Sequence, residues 1–120
     1  MGINGGYLQP CMQDRRRAFE WPEPVGRVMI EQGDLGPSAT GEVVWNSAPL
    51  LADYQARVLG TSFFKGKRVL ELGCGTALPS IVASKLGAAS VLATDGSMEV
   101  CRRAERNVEL NCAAAATAAG

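Results

Sequence analysis

The chain has 120 residues, of which 47% are hydrophobic and 20% are charged, and its twelve basic residues balance its twelve acidic ones. This length and composition predict one soluble globular domain. The zero net charge argues against a nucleic-acid partner. The absence of histidine excludes imidazole-based acid–base catalysis and histidine-ligated metal sites. We therefore expect no bound metal and little proton transfer by this chain's own residues.

The four cysteines, Cys11, Cys74, Cys101 and Cys112, form no Cys-x-x-Cys pair, and no apolar segment resembles a secretory signal or a membrane span. We therefore expect a reduced, cytoplasmic protein without membrane contact. Cys74 lies in a glycine turn before a helix, where a thiol can become reactive. Because no basic residue flanks it, we interpret it instead as a small side chain that fills the turn.

Residues 1–24 have no sustained hydrophobic period, and we predict a loosely ordered leader with at most one short element. The triplet Arg15-Arg16-Arg17 could bind nucleic acid or direct nuclear import. Beside Asp14 and Glu20, it is more typical of a solvated surface.

Residues 25–112 carry the patterns of a folded domain. Arg27 to Gln32 alternates between polar and apolar residues, which predicts an edge strand with Val28 and Ile30 on one face. Gly33 to Thr40 has the composition of a loop.

A helix is predicted next, with Ser47 as its N-cap, Ala48-Pro49 in its first turn and Gly60 at its end. Its apolar face would consist of Leu50, Leu51, Tyr54 and Val58.

The centre of the chain predicts a β-strand, a glycine turn, a helix and a second β-strand. The apolar run around Leu70 ends at Gly73-Cys74-Gly75, which is typical of a buried parallel strand that meets a tight loop. The helix would run from Ala77 to Leu86, with Pro79 in its first turn and Gly87 just after its C-terminus.

Val91-Leu92-Ala93 predicts the second strand, and Asp95 follows it about twenty residues after the glycine turn. The last helix would begin at Gly96-Ser97 and run towards Asn111. Residues 113–120 are rich in alanine and would prolong this helix without a function of their own. The apolar stripe of the last helix would consist of Val100, Cys101, Ala104 and Val108, opposite a charged solvent face.

The glycine turn is compatible with more than one ligand. Gly73 and Gly75 allow a ligand to approach the backbone, and the following helix presents free N–H groups. A dinucleotide-binding turn would need a small third residue where this chain has Leu78. Glu71, which precedes the turn, suits a ligand with a cationic group instead.

The motif Glu71-Leu72-Gly73-Cys74-Gly75 resembles the first motif of the class I, seven-β-strand S-adenosylmethionine-dependent methyltransferases. The stretch from Gly41 to Asn111 is most similar to the protein-lysine methyltransferases of family 16 and the methyltransferase-like 21 group. The segments that carry the resemblance are Gly41-Glu42-Val43-Val44-Trp45, Gly66 to Thr76, Leu78-Pro79 and Ala93-Thr94-Asp95-Gly96.

The resemblance implies an α/β fold, here the N-terminal half of a Rossmann-like parallel sheet, with S-adenosyl-L-methionine as cofactor. It implies that Gly73-Cys74-Gly75 lines the methionine part of the cofactor and that Glu71 supports this loop and the amino group. Asp95 would bind the ribose hydroxyls. Trp45 would flank the cofactor, a role compatible with that of a core aromatic. The reaction implied is methyl transfer to a lysine of a protein substrate, with no catalytic residue assigned in this chain.

The chain departs from the family pattern at two positions. Ala77 replaces the last glycine of the motif, and Ser80 replaces a glycine that often follows the proline, so both add bulk near the cofactor. If Ala77 is helical, alanine fits. If its φ is positive, it costs on the order of 1 kcal/mol and weakens cofactor binding.

The resemblance ends after the second central strand and its helix, so half of the cofactor site would be missing. Apolar strand edges and helix faces would then be open. We expect a marginally stable chain that aggregates or needs a partner chain to cover the open sheet edge, and that binds S-adenosylmethionine poorly.

Two alternative functions stay open at this point. A shortened, non-catalytic product would keep half a cofactor site and act, if at all, by pairing its open edge with another chain. A nicotinamide-dependent oxidoreductase is the weaker alternative, because Leu78 and Glu71 both disfavour it.

Overall fold

The computed structural model describes residues 15–33 and 43–112. The predictions for the first fourteen residues, for the loop 34–40, for Gly41 and Glu42, and for the alanine-rich tail 113–120 lie outside these ranges. In the described part, an antiparallel hairpin and a parallel pair of strands pack with four α-helices and one π-helical segment.

The hairpin consists of β1 (Arg16–Glu20) and β2 (Arg27–Glu31). The alternation predicted for β2 is confirmed, because Val28 and Ile30 are both fully buried. Strand β1 lies inside the segment predicted as a leader, where the sequence allows one short element. Its pairing with β2 makes it part of the folded unit.

The helical region between the two sheets consists of α1 (Ser47–Tyr54), a π-helical segment (Gln55–Leu59) and α2 (Gly60–Phe64). The prediction that Gly60 ends the helix is confirmed, because Gly60 has φ +67° and caps the π-helical segment. The sequence did not predict the short helix α2, which follows directly. The predicted N-cap is wrong. Asn46 precedes the helix in a helical conformation, and no side chain caps it.

The apolar face predicted for α1 is not buried by any described residue. The side of this region that packs inward carries Ala52 and Gln55, and α1 lies against the helix of the central unit. The four predicted apolar residues are between 48% and 65% exposed, namely Leu50, Leu51, Tyr54 and Val58.

The central strand–helix–strand unit is confirmed. Strands β3 (Arg68–Leu72) and β4 (Ser90–Thr94) are parallel, and α3 (Leu78–Lys85) connects them across one face of the pair. Gly87 follows the helix with φ +100°, and the next N–H, of Ala88, donates to the Ala83 carbonyl at 3.2 Å. This is the bond that closes a helix ending in a left-handed glycine.

The opposite face of β3 and β4 is open in the described residues, so the prediction of a buried strand is only half right. Leu70, Leu72 and Leu92 are 59%, 76% and 40% exposed. Side chains alternate between the faces of a strand, and α3 covers only the face that carries Val69 and Ala93.

Helix α4 (Met98–Asn111) begins as predicted, because the Ser97 side chain accepts a hydrogen bond from the Val100 N–H at 3.3 Å. It packs against β2 and buries the predicted residues Val100, Cys101 and Ala104. None of the described helices is long and apolar enough to cross a membrane.

Candidate functional site

A cleft of about 600 Å³ lies at the carboxyl ends of β3 and β4, a volume within the usual range of small-molecule sites. Parallel sheets generally bind ligands at this end of their strands. The six site residues predicted from the sequence all line this cleft, namely Trp45, Glu71, Gly73, Cys74, Gly75 and Asp95.

The glycine loop forms one wall of the cleft and requires left-handed backbone. Gly73 has φ +65° and Gly75 has φ +55°, values that L-residues rarely adopt. A Cβ built on Gly73 would meet no atom within 4 Å, so the space in front of the loop is free for a ligand. The Cys74 N–H donates to the Thr94 carbonyl at 2.8 Å, which joins the loop to the end of β4.

Asp95 holds the other side of the loop. One carboxylate oxygen accepts from the Gly75 N–H at 3.1 Å, and the other accepts from the Ser97 N–H at 3.2 Å. The carboxylate is thereby fixed between the glycine loop and the first turn of α4. It can still accept from a ligand hydroxyl, because each oxygen has two lone pairs.

Glu71 is partly buried at the end of β3. Its Oε1 accepts from the Ser80 hydroxyl at 2.5 Å. Burial raises the pKa of the Glu71 carboxyl, and the hydrogen bond from Ser80 opposes that rise. A cationic ligand group next to Glu71 would stabilise its ionised form.

Cys74 is buried in the loop and is not a reactive thiol. Burial, followed by the negative charges of Glu71 and Asp95, raises the pKa of its thiol to about 12. Since the thiolate is the nucleophile of cysteine chemistry, the structure supports the interpretation that Cys74 fills the turn.

Trp45 lies at the rim of the cleft and is 37% exposed. Its neighbours along the chain, Val43 and Val44, are buried. The indole lines the cleft, as a residue that flanks the cofactor would, and it is not one of the residues packed in the hydrophobic core.

The structure resolves the alternatives for Ala77 and clarifies Ser80. Ala77 has φ +73° and is completely buried, so it lies before the helix in the strained conformation. Ser80 is buried but does not line the cleft. Its hydroxyl is hydrogen-bonded to Glu71, so it adds no bulk at the ligand surface.

Sequence reasoning missed cleft residues that other elements contribute. Ser47, Ala48 and Leu51 come from α1, and Ser97 and Val100 come from the start of α4. Of these residues, only Ser97 could have been predicted from the sequence. A helix that starts two residues after Asp95 places its first turn close to that carboxylate.

A second groove, of about 570 Å³, lies between the hairpin and α4. Glu31 lines this groove and is within 4.0 Å of three guanidinium groups, those of Arg16 at 2.8 Å, Arg106 at 3.5 Å and Arg103 at 3.7 Å. Burial acts to raise the pKa of Glu31, but the three arginines together lower it. Neither the cleft nor this groove holds a metal-binding cluster of His, Cys, Asp or Glu among residues 15–33 and 43–112.

Comparison with known proteins identifies relatives of this chain. The family model described as lysine methyltransferase matches residues 27–119. Methyltransferase-like protein 22 of Mus musculus is 44% identical over 80 residues, which are 67% of this chain and 20% of the relative. Protein N-terminal and lysine N-methyltransferase EFM7 of Gibberella zeae is 43% identical over 97 residues, 73% of this chain and 36% of the relative.

A third relative matches a shorter stretch. Ribosomal protein L11 methyltransferase of Acetivibrio thermocellus is 52% identical over 46 residues, which are 38% of this chain and 15% of the relative. The chain thus spans between 15% and 36% of the length of these three relatives.

Proposed function

We propose, from the premise that this chain belongs to the lysine methyltransferase family, that its cleft binds S-adenosyl-L-methionine for methyl transfer to a lysine of a protein substrate. The observation that carries the proposal is the convergence of Glu71, Asp95 and an open glycine loop at the carboxyl ends of two parallel strands. The unit would act as the cofactor-holding part of the enzyme.

Each side of the cleft fits a different part of the cofactor. Glu71 would hold the amino group, a cation that favours the ionised carboxylate. The loop Gly73-Cys74-Gly75 would lie along the methionine part, where a glycine without Cβ leaves the space free. Asp95 would accept from the ribose hydroxyls while its two backbone donors keep it oriented.

The sulfonium of the bound cofactor supplies an electrophilic methyl group. A deprotonated lysine amine would form the new N–C bond while the C–S bond of the cofactor breaks, and S-adenosylhomocysteine would be the leaving group. Nothing in the described cleft serves as a base to deprotonate the amine, because Glu71 and Asp95 are assigned to the cofactor. The residues of this chain therefore contribute by fixing the cofactor, and positioning is a large part of catalysis in such reactions.

The choice of protein lysine as substrate is supported by the family description and by the name of the Gibberella zeae relative. The ribosomal protein L11 methyltransferase shares only a short stretch with this chain. We infer that the shared stretch serves the common cofactor and that the substrate contacts differ.

Leu70, Leu72 and Leu92 form an exposed leucine face on the parallel strands. We propose that a partner chain covers this face, as the sequence led us to expect. Cys74, Cys101 and Cys112 are free thiols, which supports a reducing compartment, and we propose the cytoplasm.

Cofactor binding is tested with Asp95→Asn, followed by NMR titration with S-adenosylmethionine. The amide keeps one acceptor oxygen but loses the charge, and a hydrogen bond to a charged group contributes about 1.5–3 kcal/mol. We expect the dissociation constant to rise about tenfold or more. Glu99→Gln, an exposed carboxylate four residues further on, is the matched control and should leave affinity unchanged. Equal affinity of Asp95→Asn and the wild type would exclude the assigned role.

Methyl transfer is tested by incubating the chain with S-adenosylmethionine that carries a deuterated methyl group and a mixture of proteins, followed by mass spectrometry of peptides. Label on lysine supports the proposal, and label on another residue type contradicts the substrate assignment. Cofactor binding without any label would favour the non-catalytic alternative.

A further inference from the structure

Two asparagines on α4 bind the backbone of the hairpin. The Asn111 side chain accepts from the Met29 N–H at 2.8 Å and donates to the Met29 carbonyl at 2.7 Å. Asn107 forms the same pair of bonds with Glu31, at 2.8 Å and 3.1 Å. The two amides thus bind the edge of β2 as a neighbouring strand would.

The spacing of these bonds follows from the geometry of the two elements. Residues 29 and 31 face the same side of a strand and are about 6.8 Å apart along it. Residues 107 and 111 are separated by four helical positions, which is about 6 Å of rise. An asparagine every fourth residue of α4 therefore matches every second residue of β2.

Asn107 makes one contact that Asn111 does not make. Its Nδ2 also donates to the Thr76 carbonyl at 3.1 Å. Asn107 is completely buried, and Thr76 is 3% exposed. Thr76 lines the cleft between Gly75, which Asp95 holds, and Ala77, which is strained.

The Thr76 carbonyl would lose this donor without Asn107. A buried carbonyl without a donor is unfavourable, and rotation of the peptide that follows it would release the left-handed strain at Ala77. That rotation would disturb the Ala77 N–H, which donates to the Cys74 carbonyl at 2.8 Å. The bond from Asn107 therefore opposes a movement that would alter the wall of the cleft.

We propose that Asn107 is a positioning residue for the glycine loop: it fixes the Thr76 peptide to strand β2, so that the N-terminal hairpin supports the ligand-facing backbone. The identity of the ligand rests on the proposed function, but the support of the loop does not. Asn107 touches no ligand surface itself, because it does not line the cleft.

The matched variants Asn107→Ala and Asn111→Ala separate this role from a merely structural one. Both remove two bonds to β2, but only the first removes the bond to Thr76. We expect the amide hydrogens of Gly75 and Ala77 to exchange at least about tenfold faster in Asn107→Ala than in Asn111→Ala, in the chain without ligand. Equal exchange of these amides in the two folded variants would overturn the proposal.

A measurement on the wild-type chain covers the case in which Asn107→Ala does not fold. The side-chain amide hydrogens of Asn107 should exchange as slowly as the Ala77 backbone amide, since both depend on the same loop arrangement. Rapid exchange of the Asn107 side chain beside a protected Ala77 amide would overturn the proposal as well.

The consequence for the cofactor provides a separate readout. The dissociation constant for S-adenosylmethionine should rise at least about threefold more in Asn107→Ala than in Asn111→Ala. If the wild-type chain shows the exchange pattern but binds no S-adenosylmethionine, the loop support stands and the proposed cofactor is wrong.

Discussion

The residues of the glycine loop combine features that favour ligand binding and oppose folding. Ala77 occupies a left-handed conformation, and Glu71 is a carboxylate whose pKa is raised by burial. Strained backbone and perturbed titratable groups are both concentrated at functional sites. Each feature has a measurable effect on stability.

The strain at Ala77 is tested by comparing Ala77→Gly with Ala83→Gly. Both alanines are completely buried, so each variant loses one buried methyl group. A left-handed conformation costs an L-residue about 1–2 kcal/mol, which glycine avoids, whereas glycine inside a helix costs about 1 kcal/mol. We expect Ala77→Gly to be more stable than Ala83→Gly by about 2 kcal/mol in urea unfolding. Equal stabilities of the two variants would show that Ala77 is not strained.

Glu71→Gln should stabilise the chain at neutral pH and weaken the binding of S-adenosylmethionine. Because the pKa of Glu71 is raised in the folded state, its contribution to stability is present below the ordinary glutamate pKa and is lost as the pH rises through the folded-state value. The variant should therefore have a higher melting temperature than the wild type at pH 7, and this difference should shrink at acidic pH. Loss of the charge should weaken cofactor affinity about tenfold or more.

The control for this variant is Glu109→Gln, which changes an exposed carboxylate on α4. Its melting temperature should follow that of the wild type at each pH. A Glu71→Gln variant that is less stable than the wild type at pH 7 would mean that the ionised carboxylate stabilises the unliganded fold.

The cleft residues that could be predicted lie in one short motif or at a recognisable distance from it along the chain. The glycines and the two carboxylates are separated by fixed spacings along the chain. Ser80 and Asn107 could not be assigned roles in the same way. Their partners are known only once the fold brings Ser80 to Glu71 and Asn107 to Thr76.

The helices and strands show which local signals are sufficient to define an element. The ends of α3 and the start of α4 follow from proline, glycine and serine at capping positions. The π-helical segment ends at Gly60, a capping glycine, but no sequence signal marks its start or its irregular turn. Its Gln55 is buried and donates to the Pro79 carbonyl at 3.2 Å, so a tertiary contact with α3 accompanies the irregular turn.

Ser47, the predicted N-cap of α1, and Ser97, at the predicted start of α4, form a matched test at this scale. Ser97 accepts a hydrogen bond from the Val100 N–H, whereas Ser47 forms no cap, and both serines are exposed. Loss of a serine N-cap typically costs about 1 kcal/mol. We expect Ser97→Ala to lower the free energy of unfolding by about 1 kcal/mol and Ser47→Ala to change it by less than about 0.5 kcal/mol. Equal losses in calorimetry would contradict the assignment of the caps.

The molecule as a whole has an apolar face that no described residue covers. The pattern of β3 predicts a strand buried on both sides, but the structure partly buries only the side facing α3 and leaves the other side exposed. The apolar residues of a strand indicate that both of its faces suit a hydrophobic core. They do not indicate which element covers the second face. The chain spans a minor part of the length of its relatives.

Self-association through this face is tested with the double variant Leu70→Lys, Leu72→Lys. The two side chains are 59% and 76% exposed, so their replacement should change the free energy of unfolding by less than about 0.5 kcal/mol each. Charged side chains on open sheets oppose association. We expect sedimentation to show less aggregate than in the wild type.

Ser90→Lys is the control, because it adds a charge to an exposed position on the same face without removing a leucine. Its sedimentation should resemble that of the wild type. If the double variant aggregates as much as the wild type, the leucine face is not the surface through which the chains associate.

The most direct test of the proposed cofactor is an NMR titration of the wild-type chain with S-adenosylmethionine and, in parallel, with NAD, because NMR detects even weak binding. We predict that S-adenosylmethionine shifts the backbone amides of Gly73, Gly75 and Ser97 and the Trp45 indole, and that NAD at the same concentration leaves them unchanged. Shifts of these signals by NAD, or their indifference to S-adenosylmethionine, would contradict the proposed cofactor.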